Sequence, residues 1–138
     1  MRAIALSTEY ADVQAFQAQF NFLPQSKGPL EKFAARRRAD QMREELREFE
    51  DACADNDPAK AVDALLDLVY FAYGSAVAMG VSHRAMAQCW EAVHSSNMAK
   101  EFSIMQAGDL KQGIVKPLGW ISPSAAIKQA LAEDGFGD

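Results

Sequence analysis

The chain has 138 residues, 49% of them hydrophobic and 24% charged, which is enough for a packed core without disulfides or a structural metal. Its net charge of −5 excludes a general nucleic-acid binder, which would present a basic face. A phosphate-bearing ligand must then be met locally, by a few cations or by metal ions.

The first ten residues, MRAIALSTEY, hold too short an apolar run for a signal peptide. A helix is predicted over 8–20, capped by Ser7 or Thr8, with Val13, Phe16, Ala18 and Phe20 apolar. Pro24, Gly28 and Pro29 mark 21–29 as a linker, and a second helix follows over 30–54. Asp57 as N-cap with Pro58 in the first turn opens a third helix, which stops at Gly80. The fourth runs from Ser82 to about Phe102. Residues 103–121 hold Gly108, Gly113, Pro117 and Gly119 without a sustained period, and a short last helix starts at Ser122-Pro123 and ends before Gly135.

No strand pattern competes, because β-branched residues never alternate over a useful length. The expectation is one all-α domain over 1–138, an antiparallel bundle of four main helices plus a short C-terminal helix. Residues 61–81 have nearly the length of a membrane span, but Asp63 and Asp67 would be costly in lipid, so they read as a buried core helix. Cys53 and Cys89 lack metal or redox spacing and read as reduced, packed thiols, which suits a cytoplasmic protein.

The informative residues are acids in apolar company. Val62, Leu65, Leu66, Val69, Tyr70, Phe71, Ala76 and Val77 cover most of the third helix's circumference. Its only acids, Asp63 and Asp67, are one turn apart and share a stripe, which is expensive unless a cation neutralises them. On the second helix, Glu44-Glu45-Leu46-Arg47-Glu48 borders the stripe Ala39, Met42, Leu46, Phe49 and Cys53. At about 100° per residue Glu45 lies roughly 40° from Phe49, Glu48 a step further out, and Glu44 points more nearly away. A solvated face with i,i+4 pairs would also explain this motif taken alone. Together the two clusters favour an all-oxygen site for Mg²⁺, with Mn²⁺ as a substitute. On the fourth helix the stripe Met86, Cys89, Trp90 and Val93 continues into Asn97 and Lys100, which suits a phosphate-bearing ligand. The alternative is that the helix emerges into solvent there.

The segments Glu44-Glu45-x-x-Glu48, Asp63-Ala-Leu-Leu-Asp67-Leu-Val-Tyr70-Phe-Ala-Tyr73-Gly74, Val93-His94-Ser95-Ser96-Asn97-Met98-Ala99-Lys100 and, more weakly, Val115-Lys116-Pro117-Leu-Gly119-Trp120 carry a resemblance. Over roughly residues 10–125 the chain resembles the MazG-like, phosphoribosyl-ATP pyrophosphohydrolase-like superfamily of all-α nucleoside triphosphate pyrophosphatases. The resemblance implies hydrolysis of a nucleoside triphosphate to the monophosphate and pyrophosphate. It further implies Mg²⁺ on Glu44, Glu45, Glu48 and Asp67, phosphate contacts from Asn97 and Lys100, and a homodimer or dimer of dimers. One departure stands out. The superfamily's second motif is ExxD, whereas Ala64 stands three residues before Asp67, so Asp63 substitutes for the usual glutamate.

In mechanism, Glu45 or Glu48 would orient or deprotonate the attacking water, and Lys100 with Asn97 would stabilise the departing pyrophosphate. Arg38 and Lys116 are further candidates for contacting substrate. Among substrates dUTP comes first, in a nucleotide-pool house-cleaning role, with phosphoribosyl-ATP as the alternative. Two rivals differ in class: a di-iron carboxylate bundle, for which Glu91-Ala-Val-His94 supplies one motif, and a non-catalytic helical interaction module.

Overall fold

A computed structural model of the chain describes residues 7–102 and 113–137. Its elements are α1 (Thr8–Gln19), α2 (Lys32–Ala54), α3 (Pro58–Ala78), α4 (His83–Met98), β1 (Glu101–Phe102), β2 (Ile114–Val115) and α5 (Ser124–Glu133). The all-α class is as the sequence implies. Residues 103–112, within the Gly-rich stretch, lie outside the described residues.

Caps decide where these helices begin and end. Ser7 accepts from the Tyr10 amide, Glu31 from the Ala34 amide, and Asp57 from the Lys60 amide with Pro58 in the first turn. At the other end α1, α2, α3 and α5 each close with one residue in the left-handed region: Asn21, Asn56, Gly80 and Gly135. At α3 the Gly80 amide bonds to the Val77 carbonyl and the Val81 amide to that of Ala76, satisfying two carbonyls the helix leaves free.

The chain divides into two compact units, Ser7–Ser82 and His83–Phe136. In the first, α1 lies on α3 through edge-on aromatic pairs, Tyr10 with Tyr73 at 5.4 Å and Phe16 with Tyr70 at 5.5 Å. Tyr10 is fully buried and donates its hydroxyl to the Val81 carbonyl at 2.7 Å. The 21 residues of α3 pack antiparallel against the 23 of α2. Arg38 meets Gly74 and Glu45 meets the charge of Asp67, two contacts seven residues apart on each helix and in the same register.

The reading of α3 as buried on all sides is corrected. Only Ala64, Gly74 and Val77 are buried, while Leu66 is 62% exposed and Val62, Leu65, Val69 and Tyr70 are exposed too. The composition reported an apolar circumference correctly, but within this unit α1 and α2 cover only part of it. Cys53 is likewise exposed, not packed, and Cys89 is half-buried; both thiols are free.

In the second unit α4 packs on α5, with Ala85, Ala87 and Ala130 buried. The fourth helix ends at Met98, short of Phe102, because Glu101 and Phe102 pair antiparallel with Val115 and Ile114. A two-residue ladder is too short to leave an alternating pattern, which is why no strand was expected. The Trp120 indole donates to the Ser96 carbonyl at 2.7 Å, and Ser96 Oγ donates to the Ile121 carbonyl at 3.1 Å, tying the tail to α4.

Gly80 has φ +88°, and a Cβ there would lie 2.9 Å from the Ser26 carbonyl oxygen. Gly80→Ala should therefore lose about 1–2 kcal/mol or more in urea unfolding. Gly28→Ala, where a Cβ meets nothing within 4 Å, should change little. Equal effects of the two would contradict this account of the α3 cap.

Candidate active site

The turn of α2 that carries Glu44, Glu45 and Glu48 faces the first half of α3. Glu45 is half-buried, and its Oε2 is closed off from solvent with no hydrogen-bond partner. Its pKa is pushed from an ordinary 4.5 up to about 7, first by burial, then by a hydrogen bond and charge from Glu48, then by the charges of Asp67 and Glu44. Asp67 is half-buried, while Glu44, Glu48 and Asp63 are exposed. Electrostatically Glu44 joins the group from which its angle on the wheel set it apart. Asp63 is not among the charges acting on Glu45. Arg43, a possible neutralising partner, is paired instead with Asp40 at 2.8 Å on the exposed side.

An unpaired, buried carboxylate oxygen among like charges is the kind of place a cation occupies. Among the described residues no three carboxylate, histidine or cysteine groups converge on one point. That arrangement still suits Mg²⁺, which ordinarily keeps several waters and takes one or two carboxylates plus phosphate oxygens. Glu45, with Glu48 or Asp67, would hold it.

Two helical turns along the same pair lies a cavity of about 380 Å³, lined among others by Phe16, Gln17, Phe22, Arg38, Tyr70 and Gly74. Burial, and then the charge of neighbouring Arg37, lower the Arg38 pKa. Gln17 is 4% exposed and donates to the Gly74 carbonyl at 2.9 Å, while its Oε1 has no partner. The sequence reading passed over Gln17 and this cavity. The signal was present: Tyr10, Val13 and Gln17 form the buried stripe of α1, and an amide on such a stripe is anomalous.

The remaining residues singled out from sequence belong to the second unit. Lys116 Nζ lies 4.7 Å and Lys100 Nζ 5.6 Å from the Trp120 ring centre, so one indole gathers both cations. Asn97 is exposed near the end of α4. Trp120 is half-buried and also lines a second cavity of about 450 Å³ with Ser95, Ser96 and Pro117.

Carboxylates crowded on paired helices suit a metal-assisted hydrolase, and the family comparison gives the class. Residues 14–97, more than half of the chain, match the phosphoribosyl-ATP pyrophosphohydrolase family. The chain belongs to that family, within the MazG-like all-α nucleoside triphosphate pyrophosphatase superfamily, and is thus a hydrolase acting on acid anhydrides. The matched span takes in the end of α1 and the whole of α2 and α3, with Gln17, Arg38, Glu44, Glu45, Glu48, Asp63 and Asp67, and ends on Asn97. Comparison with curated proteins gives no match.

The raised pKa of Glu45 has a consequence for stability. The folded state holds this proton more tightly than the unfolded chain does. The group's contribution is therefore most favourable below about 4.5 and is lost as pH rises to about 7. In chelator-treated protein the melting temperature should fall across that window by more than in Glu45→Gln, and Mg²⁺ should restore it above pH 7. Identical pH profiles for the two proteins would contradict the assignment.

Proposed function

We propose that this protein is a Mg²⁺-dependent nucleoside triphosphate pyrophosphohydrolase, converting the triphosphate and water to the monophosphate and pyrophosphate. The observation that carries the reading is Glu45, held near neutrality among Glu48, Asp67 and Glu44 with one oxygen unpaired. A carboxyl kept neutral up to about pH 7 by burial and like charge is one that a divalent cation would ionise, leaving it able to accept a proton.

The chain's own residues divide the work. Glu45 accepts the proton of the attacking water, and Glu48, which shares a hydrogen bond with it, keeps that carboxyl oriented. Asp67 and Glu44 add the negative charge that draws a divalent cation in. Bound there, Mg²⁺ supplies charge neutralisation for the phosphate oxygens and lowers the pKa of water. Asn97, Lys100 and Lys116, in the unit His83–Phe136, are read as phosphate-binding residues, the two cations being gathered on Trp120. Asp63 lies one turn from Asp67 and is read as an outer acid of the same group.

The role is nucleotide-pool house-cleaning in the cytoplasm, with dUTP the leading candidate and phosphoribosyl-ATP, which the family is named for, as the second. The exposed apolar residues of α2 and α3, Leu46, Val62, Leu65, Leu66 and Val69, support a homodimer or dimer of dimers.

Products from a panel of nucleoside triphosphates with Mg²⁺, resolved by ³¹P NMR, test the reading. Wild type should yield pyrophosphate and monophosphate, and Glu45→Gln and Asp67→Ala should each slow turnover by about 100-fold or more. Single phosphate as product, or variants at wild-type rate, would contradict it.

A further inference from the structure

We propose that the cavity among α1, α2 and α3 is the base subsite, and that it selects a base whose edge carries a carbonyl beside an N–H. Guanine and uracil have such an edge; adenine and cytosine carry an amino group there instead. This inference rests on the substrate class proposed above and adds the base.

The orientation of Gln17 is fixed by chemistry. The atom 2.9 Å from the Gly74 carbonyl must be the amide nitrogen, because a carbonyl only accepts. Oε1 is then a buried acceptor with nothing donating to it, in a side chain 4% exposed that lines the cavity. Such an atom costs free energy unless a ligand donates to it. Arg38 provides the complementary group, since a guanidinium donates and never accepts.

The two groups are neighbours. A Cβ on Gly74 would lie 2.8 Å from Arg38 Nη1 and 3.1 Å from Gln17 Nε2, so both lie against the same bare patch of α3. The cavity lining thus holds a cationic donor beside an amide whose acceptor oxygen is buried and unpaired. A carbonyl oxygen beside an N–H matches both, the carbonyl accepting from the guanidinium and the N–H donating to the amide oxygen. An amino-substituted edge would set its own N–H donors against the cation.

The other walls are aromatic and open. Phe22 is 66% exposed, Phe16 47% and Tyr70 40%, with Phe16 and Tyr70 edge-on at 5.5 Å. Exposed rings around a polar anchor suit stacking of a flat base. Arg38 precedes Glu45 by seven residues and Gly74 follows Asp67 by seven, so about 10 Å of helix separates the base wall from the acids. That leaves room for a sugar and the first phosphate between them.

The test is kcat/KM for dGTP, dUTP, dATP and dCTP with saturating Mg²⁺. Wild type should favour dGTP and dUTP over dATP and dCTP by about tenfold or more. Arg38→Met and Gln17→Met should bring that ratio towards one, mainly by raising KM for the favoured pair. Gly74→Ala should do the same by displacing Arg38, and since Ala is the better helix former it covers the case in which Gln17→Met fails to fold. Melting temperatures check the fold of each. Hydrolysis of all four substrates at similar kcat/KM, or a preference that survives Arg38→Met and Gly74→Ala, would overturn the subsite alone. No pyrophosphate from any substrate would overturn the proposed activity and this inference with it.

Discussion

The antiparallel pairing of α2 with α3 is the constraint on which the rest depends. Its register sets Glu45 against Asp67 at one level and Arg38 against Gly74 two turns away. The first meeting is unfavourable by itself: a half-buried carboxyl is pressed by three others and holds its proton up to about pH 7. The aromatic contacts of the same unit, Tyr10 with Tyr73 and Phe16 with Tyr70, hold α1 on α3 and help offset this cost. A locally unfavourable group kept in place by its fold is a common feature of functional sites.

The second level is built differently. Gly74 leaves out a side chain so that a cation and an amide reach the helix backbone, and α1 contributes the amide from its buried stripe. The acids lie two helical turns from an aromatic, hydrogen-bonding cavity, a spacing that suits a polar, elongated ligand. In the second unit, Trp120 is anchored to α4 by its indole hydrogen bond and carries Lys100 and Lys116 on its ring. The weakly matching tail segment of the sequence thereby acquires a physical purpose.

Much of this was legible in the residues. Asp57-Pro58 and Gly80 delimit α3 because capping chemistry is local, and the acid spacing marks where α2 meets α3 because helix geometry is regular. What depended on neighbours was not legible. An apolar circumference reads as burial, yet α3 leaves Leu66 and Val62 exposed, since composition does not report how many helices cover a face. Angles on a wheel set Glu44 apart, but charge acts over distances that one helix's geometry does not limit. The β1–β2 ladder and the packing of Trp120 join residues far apart in the chain, and no local pattern records them.

The central claim is that Glu45 and its neighbouring acids form the divalent-cation site of the enzyme. Calorimetric titration of Mg²⁺ at a pH just below 7, repeated in buffers of different ionisation enthalpy, tests it most directly. The account predicts that binding releases about half of one proton and that Glu45→Gln abolishes the release. Binding without proton release, or release undiminished in Glu45→Gln, would contradict it.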